Sequence, residues 1–195
     1  MIRAAELSLA YGKKTVLKNA AFHIEKGAFV ALTGDNGSGK STLLSAMAGA
    51  LKPQSGILEI RGRVGYIPQG SGLMEELTFR DNLRFFAGLA GAKLPQTLPF
   101  GAEKLLKTKV QDMSGGMKKL CSIVCGVVSD PEILLLDEPC ASLDEEHKQM
   151  LLAYLKQCKE SGKTIVYVGH DPSEYGALAD QQILVSHGGT EATPV

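Results

Sequence analysis

The spacing of apolar and polar positions changes several times along the chain, and each change marks an element. Residues 2–11 alternate loosely, with Leu7 and Leu9 on one face, and predict a strand; residues 20–24 predict another. Glu25-Lys26-Gly27 then turns the chain into a third apolar run, residues 28–33, and residues 43–48 beyond it read as helix. This opening predicts an antiparallel β-layer attached to a parallel core. A turn at 52–56 leads to two short strands, 57–60 and 64–67, that stop at Pro68-Gln69. Thr78 is placed to cap a helix through residue 87, with Asp81 completing a capping-box variant. Gly and Pro punctuate residues 88–101, and only 102–107 looks helical again, so this stretch reads as an inserted, mostly helical lobe. Strand–helix alternation then resumes. Residues 116–128 predict a helix, Ile133–Asp137 a strand buried on both faces, and 145–161 an amphipathic helix ended by Gly162. Residues 164–168 predict a buried strand, 172–179 a short helix and 182–185 a last strand.

Between the third strand and the first helix lies Gly34-Asp35-Asn36-Gly37-Ser38-Gly39-Lys40-Ser41-Thr42. It fits the phosphate-loop pattern G-x-x-x-x-G-K-[ST] in the strand–loop–helix setting that pattern requires. Glycines let backbone N–H groups close around phosphate oxygens, and the helix N-terminus adds partial positive charge. Lys40 is expected to reach the β- and γ-phosphates, and the Ser41 hydroxyl to meet Mg²⁺. The loop therefore predicts a nucleoside triphosphate site. About a hundred residues later the apolar strand ends at Asp137-Glu138. An Asp in that place holds Mg²⁺, directly or through water, and a following Glu can polarise a water for attack on the γ-phosphate.

Length and composition change the picture only modestly. With 195 residues the chain lies in the single-domain range, so the lobe reads as an insertion rather than a second domain. The expected organisation is a nucleotide-binding core over 1–69 and 113–187, a lobe over 70–112 and a disordered tail over 188–195. Lys and Arg total 21, matching 21 Asp and Glu, so no basic field points to nucleic acid as a partner. No apolar run approaches the roughly 18–20 residues that span a bilayer, and the N-terminus lacks an apolar signal stretch. The expectation is a soluble cytoplasmic protein that reaches a membrane only through a partner. Cys121, Cys125, Cys140 and Cys158 form no C-x-x-C or zinc pattern and read as core residues in a reducing compartment. His23, His147 and His187 lack ligand partners at metal spacing, and Glu145-Glu146 simply suits a helix N-terminus.

Further pieces complete a pattern. Ser114-Gly115-Gly116, flanked by Met113 and Met117, resembles the signature L-S-G-G-Q of ATP-binding-cassette (ABC) ATPases, the nucleotide-binding subunits of ABC transporters. Gln69 resembles that family's Q-loop glutamine, Ala141-Ser142-Leu143-Asp144 its D-loop, and His170 its switch histidine; Tyr11 stands where the family places an adenine-stacking aromatic. The resemblance covers residues 2 to about 186. It implies an α/β fold of the P-loop NTPase type, with a mainly parallel central sheet, an N-terminal antiparallel β-layer and a short inserted helical lobe. It also implies two subunits, identical or paralogous, that sandwich two MgATP molecules head to tail and drive a separate integral-membrane permease, with the cassettes peripheral at the inner face of the cell membrane. Glu138 would be the general base, and His170 would hold the γ-phosphate and attacking water. Ser41, Gln69 and Asp137 would surround the metal, Asp144 would lie at the subunit interface, and Ser114 to Met117 would face the partner's ATP.

The chain departs from the family pattern at Met117, where Gln is common, and at Leu120, where many members carry Arg. Met at the signature's last position resembles one branch of bacterial exporters whose ATPase and permease are separate chains. The lobe is short for the family, and neither change removes a catalytic group. A soluble single-cassette ATPase acting in macromolecular or iron–sulfur assembly is the alternative, while Glu138 and His170 together weigh against a module that binds nucleotide without hydrolysing it.

Overall fold

The computed structural model describes residues 1–186 and 189–195 and shows two sheets sharing one core. Strands β1 (Ile2–Tyr11), β2 (Lys14–Ile24) and β4 (Ser55–Ile60) make an antiparallel sheet in the order β2-β1-β4. Strands β3 (Phe29–Thr33), β5 (Val64–Ile67), β6 (Ile133–Asp137), β7 (Thr164–Val168), β8 (Gln181–Ser186) and β9 (Gly189–Pro194) make a second sheet, ordered β5-β6-β7-β3-β8-β9. Its pairs are parallel up to β8, and β9 returns antiparallel.

The central strands are apolar throughout because both of their faces are covered. Val30, Leu32, Leu135, Val166 and Val168 point into the core shared with the antiparallel layer and with helix α1 (Lys40–Met47). Their neighbours Phe29, Ala31, Leu134, Leu136, Ile165 and Tyr167 point the other way. There they pack with α3 (Gly115–Val127), α4 (Glu145–Glu160) and α5 (Pro172–Tyr175). This layering holds the ends of β3, β6 and β7 side by side, so the three loops that follow them converge.

The lobe contributes α2 (Phe79–Leu89) and two 3-10 turns, Pro99–Leu105 and Val110–Asp112. The Thr78 hydroxyl accepts from the Asp81 amide at 3.2 Å, as the sequence predicts for a cap. Buried Asn82 then closes the lobe, accepting from the Met74 amide at 2.8 Å and donating to the Met74 and Thr78 carbonyls. Phe79, Leu83, Ala102 and Val110 form a small core with Met113, Cys121, Val124 and Cys125, so one face of α3 belongs to the lobe and the other to the sheet.

Four local expectations change. Residues 102–107 do not form an α-helix; the chain makes a 3-10 turn at Pro99–Leu105, interrupted where Phe100 and Gly101 take φ of 63° and 62°. The helix expected to run to 179 ends at Tyr175, whose carbonyl accepts from both Leu178 and Ala179. β2 begins at Lys14 rather than near Ala20, because register shifts opposite β1 break the alternation there. The tail expected to be disordered contains β9, paired with β8 from Gly189 to Pro194, while His187 and Gly188 lie outside the described residues. The four cysteines are buried free thiols, and burial pushes those of Cys121 and Cys125 up to about 12, which suits core packing rather than redox chemistry.

Candidate nucleotide site

A cleft of about 520 Å³ opens at the ends of the parallel strands, lined by Val16, Asn36, Gly37, Gly39, Lys40, Ser41, Thr42, Gln69, Glu138 and His170. The loop after β3 forms its floor. Gly34 has a φ of 133°, and a Cβ there would stand 2.2 Å from the Val185 carbonyl oxygen, so no other residue fits. Gly39, with φ of 108°, turns the loop into α1. Helix α1 begins with no side-chain cap and no acidic residue in its first turn, whereas the described helices α2 to α5 are each capped, by Thr78, Ser114, Asp144 and Asp171. The first N–H groups of α1 have no partner within the helix and face the cleft with the positive end of the helix dipole. Lys40 is nearly buried and gives its ammonium to the carbonyls of Gly34 at 2.7 Å and Asp35 at 2.9 Å. The arrangement is built for an anion of high charge.

Opposite the loop, Glu138 follows β6 with a φ of 45°, an uncommon backbone conformation for a side chain of its size. Its carboxylate is held on both oxygens. The Gln69 amide donates to Oε2 at 2.8 Å, and His170 Nε2 lies 2.9 Å from Oε1. The neighbouring Asp137 is 2 % exposed, and its Oδ1 is buried without a hydrogen-bond partner. Burial pushes the Asp137 carboxyl above the usual range, reinforced by Glu138 and opposed by the Ser41 hydroxyl and the Lys119 and Lys40 cations. An orphaned carboxylate oxygen beside Ser41 suits a divalent cation. Among the described residues no three His, Cys, Asp or Glu side chains gather into a metal cage of their own. A hard cation here would need ligands from a bound phosphate.

Other residues singled out from the sequence lie apart from this cleft or beneath it. Gly34 and Ser38 form the loop's underside, Ser38 with a buried, unpaired hydroxyl. Tyr11 ends β1 beside the Gly12-Lys13 turn, 56 % exposed and not among the lining residues. Ser114, Gly115, Gly116 and Met117 begin α3 outside the cleft, the Ser114 hydroxyl accepting from the Met117 amide at 3.2 Å. Asp144 caps α4, accepting from the His147 amide at 2.9 Å and lying 2.7 Å from His147 Nδ1. Two residues escaped the sequence reading. Val16 walls the cleft and packs against Gly39, and its apolar character in a polar stretch was the available signal. Lys119 is buried on α3, its ammonium donating to the carbonyls of Pro68 and Gln69; desolvation pulls it down to about 8, although Asp137, Cys140 and Glu138 favour the charged form.

Fold and cleft together define a P-loop nucleotide-binding protein: a parallel sheet with an uncapped helix N-terminus beneath a glycine loop and acidic groups at the next strand end. Residues 17–141 match the family model described as ABC transporter, and the chain belongs to that family as an ATP-binding, ATP-hydrolysing cassette. It is 31% identical over 208 residues to the linearmycin resistance ATP-binding protein LnrL of Bacillus subtilis, covering 96% of this chain and 67% of that protein. It is 31% identical over 199 residues to the Nod factor export ATP-binding protein I of Paraburkholderia xenovorans, covering 92% of this chain and 66% of that one. The chain thus spans about two thirds of the length of these relatives. Among solved structures, an ATP-binding subunit of an ABC transporter superposes with a TM-score of 0.88 at 28% identity, covering 100% of this chain and 90% of that one. A dimeric cassette bound to ADP and Pi shares the fold, with a TM-score of 0.83 at 24% identity over 100% of this chain and 98% of that chain.

Proposed function

We propose that the chain hydrolyses MgATP as one of two ABC ATPase subunits, identical or paralogous, paired head to tail, and drives a separate integral-membrane permease in the export direction. The observation that carries this reading is the division of phosphate-binding groups. The cleft gathers the phosphate loop, Gln69, Glu138 and His170, while the Ser114–Met117 turn opens α3 elsewhere on the surface. Gly115 and Gly116 are not required by this chain: a Cβ at either would meet only ordinary contacts, 3.9 Å from Ser142 and 3.6 Å at the nearest for Gly116. Glycine there makes sense if a phosphate on a second subunit must approach the backbone.

On this reading the loop amides and α1 N-terminus cradle the phosphates, and Lys40 exchanges its carbonyl partners for the β- and γ-phosphate oxygens. Ser41, Gln69 and Asp137 would hold Mg²⁺, which when bound offsets phosphate charge. Glu138 accepts a proton from the attacking water as the water oxygen bonds to the γ-phosphorus. The bond to the bridging oxygen breaks, leaving ADP and inorganic phosphate. His170 holds the water and γ-phosphate in line, and Tyr11 offers a planar face for adenine. Asp144 faces the partner subunit. Among the described residues no helix is long and apolar enough to cross a membrane. The chain's family and the names of its relatives support assigning the bilayer to a permease and the cassette to its cytoplasmic face. The exposed Phe85 and Leu89 of α2 offer the permease an apolar contact. Export is favoured by the resistance and export roles in the names of LnrL and the Nod factor protein.

The test is a pull-down of tagged Glu138→Gln protein with ATP from detergent-solubilised native cells, read by mass spectrometry. A polytopic membrane protein in stoichiometric amount is expected. Soluble assembly proteins alone would overturn the transporter reading and leave the ATPase chemistry standing.

A further inference from the structure

Lys119 is 4 % exposed, one turn along α3 from Ser114-Gly115-Gly116, in a place where an apolar side chain would be cheaper to bury. Its ammonium is not idle there. Nζ donates to the Pro68 carbonyl at 2.7 Å and to the Gln69 carbonyl at 3.0 Å, fastening the segment that leaves β5. The Gln69 side chain, on the other side of the same residue, donates to Glu138 Oε2 at 2.8 Å. A single chain of contacts therefore runs from helix α3 through a buried cation and one backbone unit to the carboxylate at the end of β6. Gln69 itself is exposed and lies outside regular structure, so little else fixes the direction of its amide.

We propose that Lys119 is a positioning residue for hydrolysis: by clamping the Pro68 and Gln69 carbonyls it aims the Gln69 amide at Glu138 and makes the loop move as one body with the helix that carries Ser114–Gly116. This rests on the roles given above to Gln69 and Glu138. Because α3 would sense nucleotide on the partner and Gln69 nucleotide in its own cleft, the clamp also ties the two ATP sites of a pair together. A charged donor suits the task better than a neutral one, since hydrogen bonds from an ammonium to two carbonyls are strong and tolerate a small rotation.

The experiment is a double-mutant cycle on steady-state ATP hydrolysis by the full chain: wild type, Lys119→Met, Gln69→Ala and the double variant, with thermal melts of each. Lys119→Met should lower kcat about tenfold or more while KM for ATP stays within about twofold, and the double variant should be no slower than the slower single variant. Losses that multiply in the double variant would overturn the proposal, as would wild-type kcat in Lys119→Met. A Gln69→Ala variant at wild-type rate would instead remove the role given to Gln69, and that outcome is separate from a failure of the clamp. If Lys119→Met gives no cooperative melt, Lys119→Ala, which also removes every donor but leaves room for water to reach the two carbonyls, replaces it in the same cycle under the same criteria.

Discussion

Two glycine-rich turns, Gly34 to Gly39 before α1 and Gly115-Gly116 at the start of α3, differ in what requires their glycines. At Gly34 the chain itself forbids a side chain, through a left-handed backbone and the Val185 carbonyl 2.2 Å from any Cβ. At Gly115 and Gly116 it forbids nothing. The helices they open differ in the same sense, since α1 starts without a cap and α3 starts with Ser114. One turn is shaped by its own fold; the other is not, since a Cβ at Gly115 or Gly116 would meet only ordinary contacts. On the function proposed above, the two are halves of one ATP site contributed by different subunits.

That contrast can be broken at either end. Gly34→Ala should cost about 4 kcal/mol of stability, from strained φ and overlap with backbone, and show as a collapse of the melting temperature with loss of nucleotide binding. A variant that melts like wild type would mean the loop can relax in a way its geometry denies. Gly116→Ala should do the reverse. Its stability should stay level or rise by up to about 1 kcal/mol, because Ala is the better helix former, while kcat falls about tenfold or more and ATP-driven pairing weakens. Unchanged kcat and pairing would remove the reason for reading α3 as half of a shared site.

Asp137→Asn sharpens the comparison on the acidic side. The native carboxyl is held above its usual pKa by burial, so the folded state binds its proton more tightly than the unfolded chain does. Its contribution to stability is therefore greatest at acid pH and is lost as pH rises through the raised folded value. The amide variant should melt higher than wild type at pH 7 without nucleotide, the gap narrowing as pH falls, and should lose Mg²⁺-dependent hydrolysis. A lower melting temperature at pH 7 would show the carboxylate to be better solvated than its burial implies. The smallest effect is expected at Asp144, where replacement by Ala removes the α4 cap and should lower the melting temperature only slightly. If pairing with ATP also weakens, the residue has a second use at the interface; if the melt alone moves, capping is its whole role.

Much of this was legible in the chain because it depends on short-range chemistry. The phosphate loop, the Ile133–Asp137 run and the Thr78 cap each carry their signal within a few residues, and each forms where expected. Contacts between distant segments carried no such mark. Nothing in Lys119 as a letter separates it from Lys118, which reaches Glu75 at the surface; only the packing of α3 decides which of the two is buried. Val16 was hidden by the register shifts between β1 and β2, and β9 by a composition, Gly-Thr-Glu-Ala-Thr-Pro, with no apolar alternation to betray a strand. The stretch read as a lobe packs around a small core of its own, but the left-handed backbone at Phe100 and Gly101, where Phe100 packs on Tyr154, carries no mark in the sequence.

Strand β9 also acts mechanically. By backbone pairing it belongs to the six-stranded sheet, yet the Thr190 hydroxyl donates to the Ala21 carbonyl at 3.0 Å and accepts from the Ala21 amide at 3.1 Å, both on β2. It is a rivet across the seam between the two layers, resisting shear that neither sheet's own ladder would oppose. Val16, which lines one wall of the cleft, sits on the same β2, and Lys40 follows β3 on the opposite side of that seam. The width of the slot offered to a nucleotide is thus braced by a threonine that never touches it.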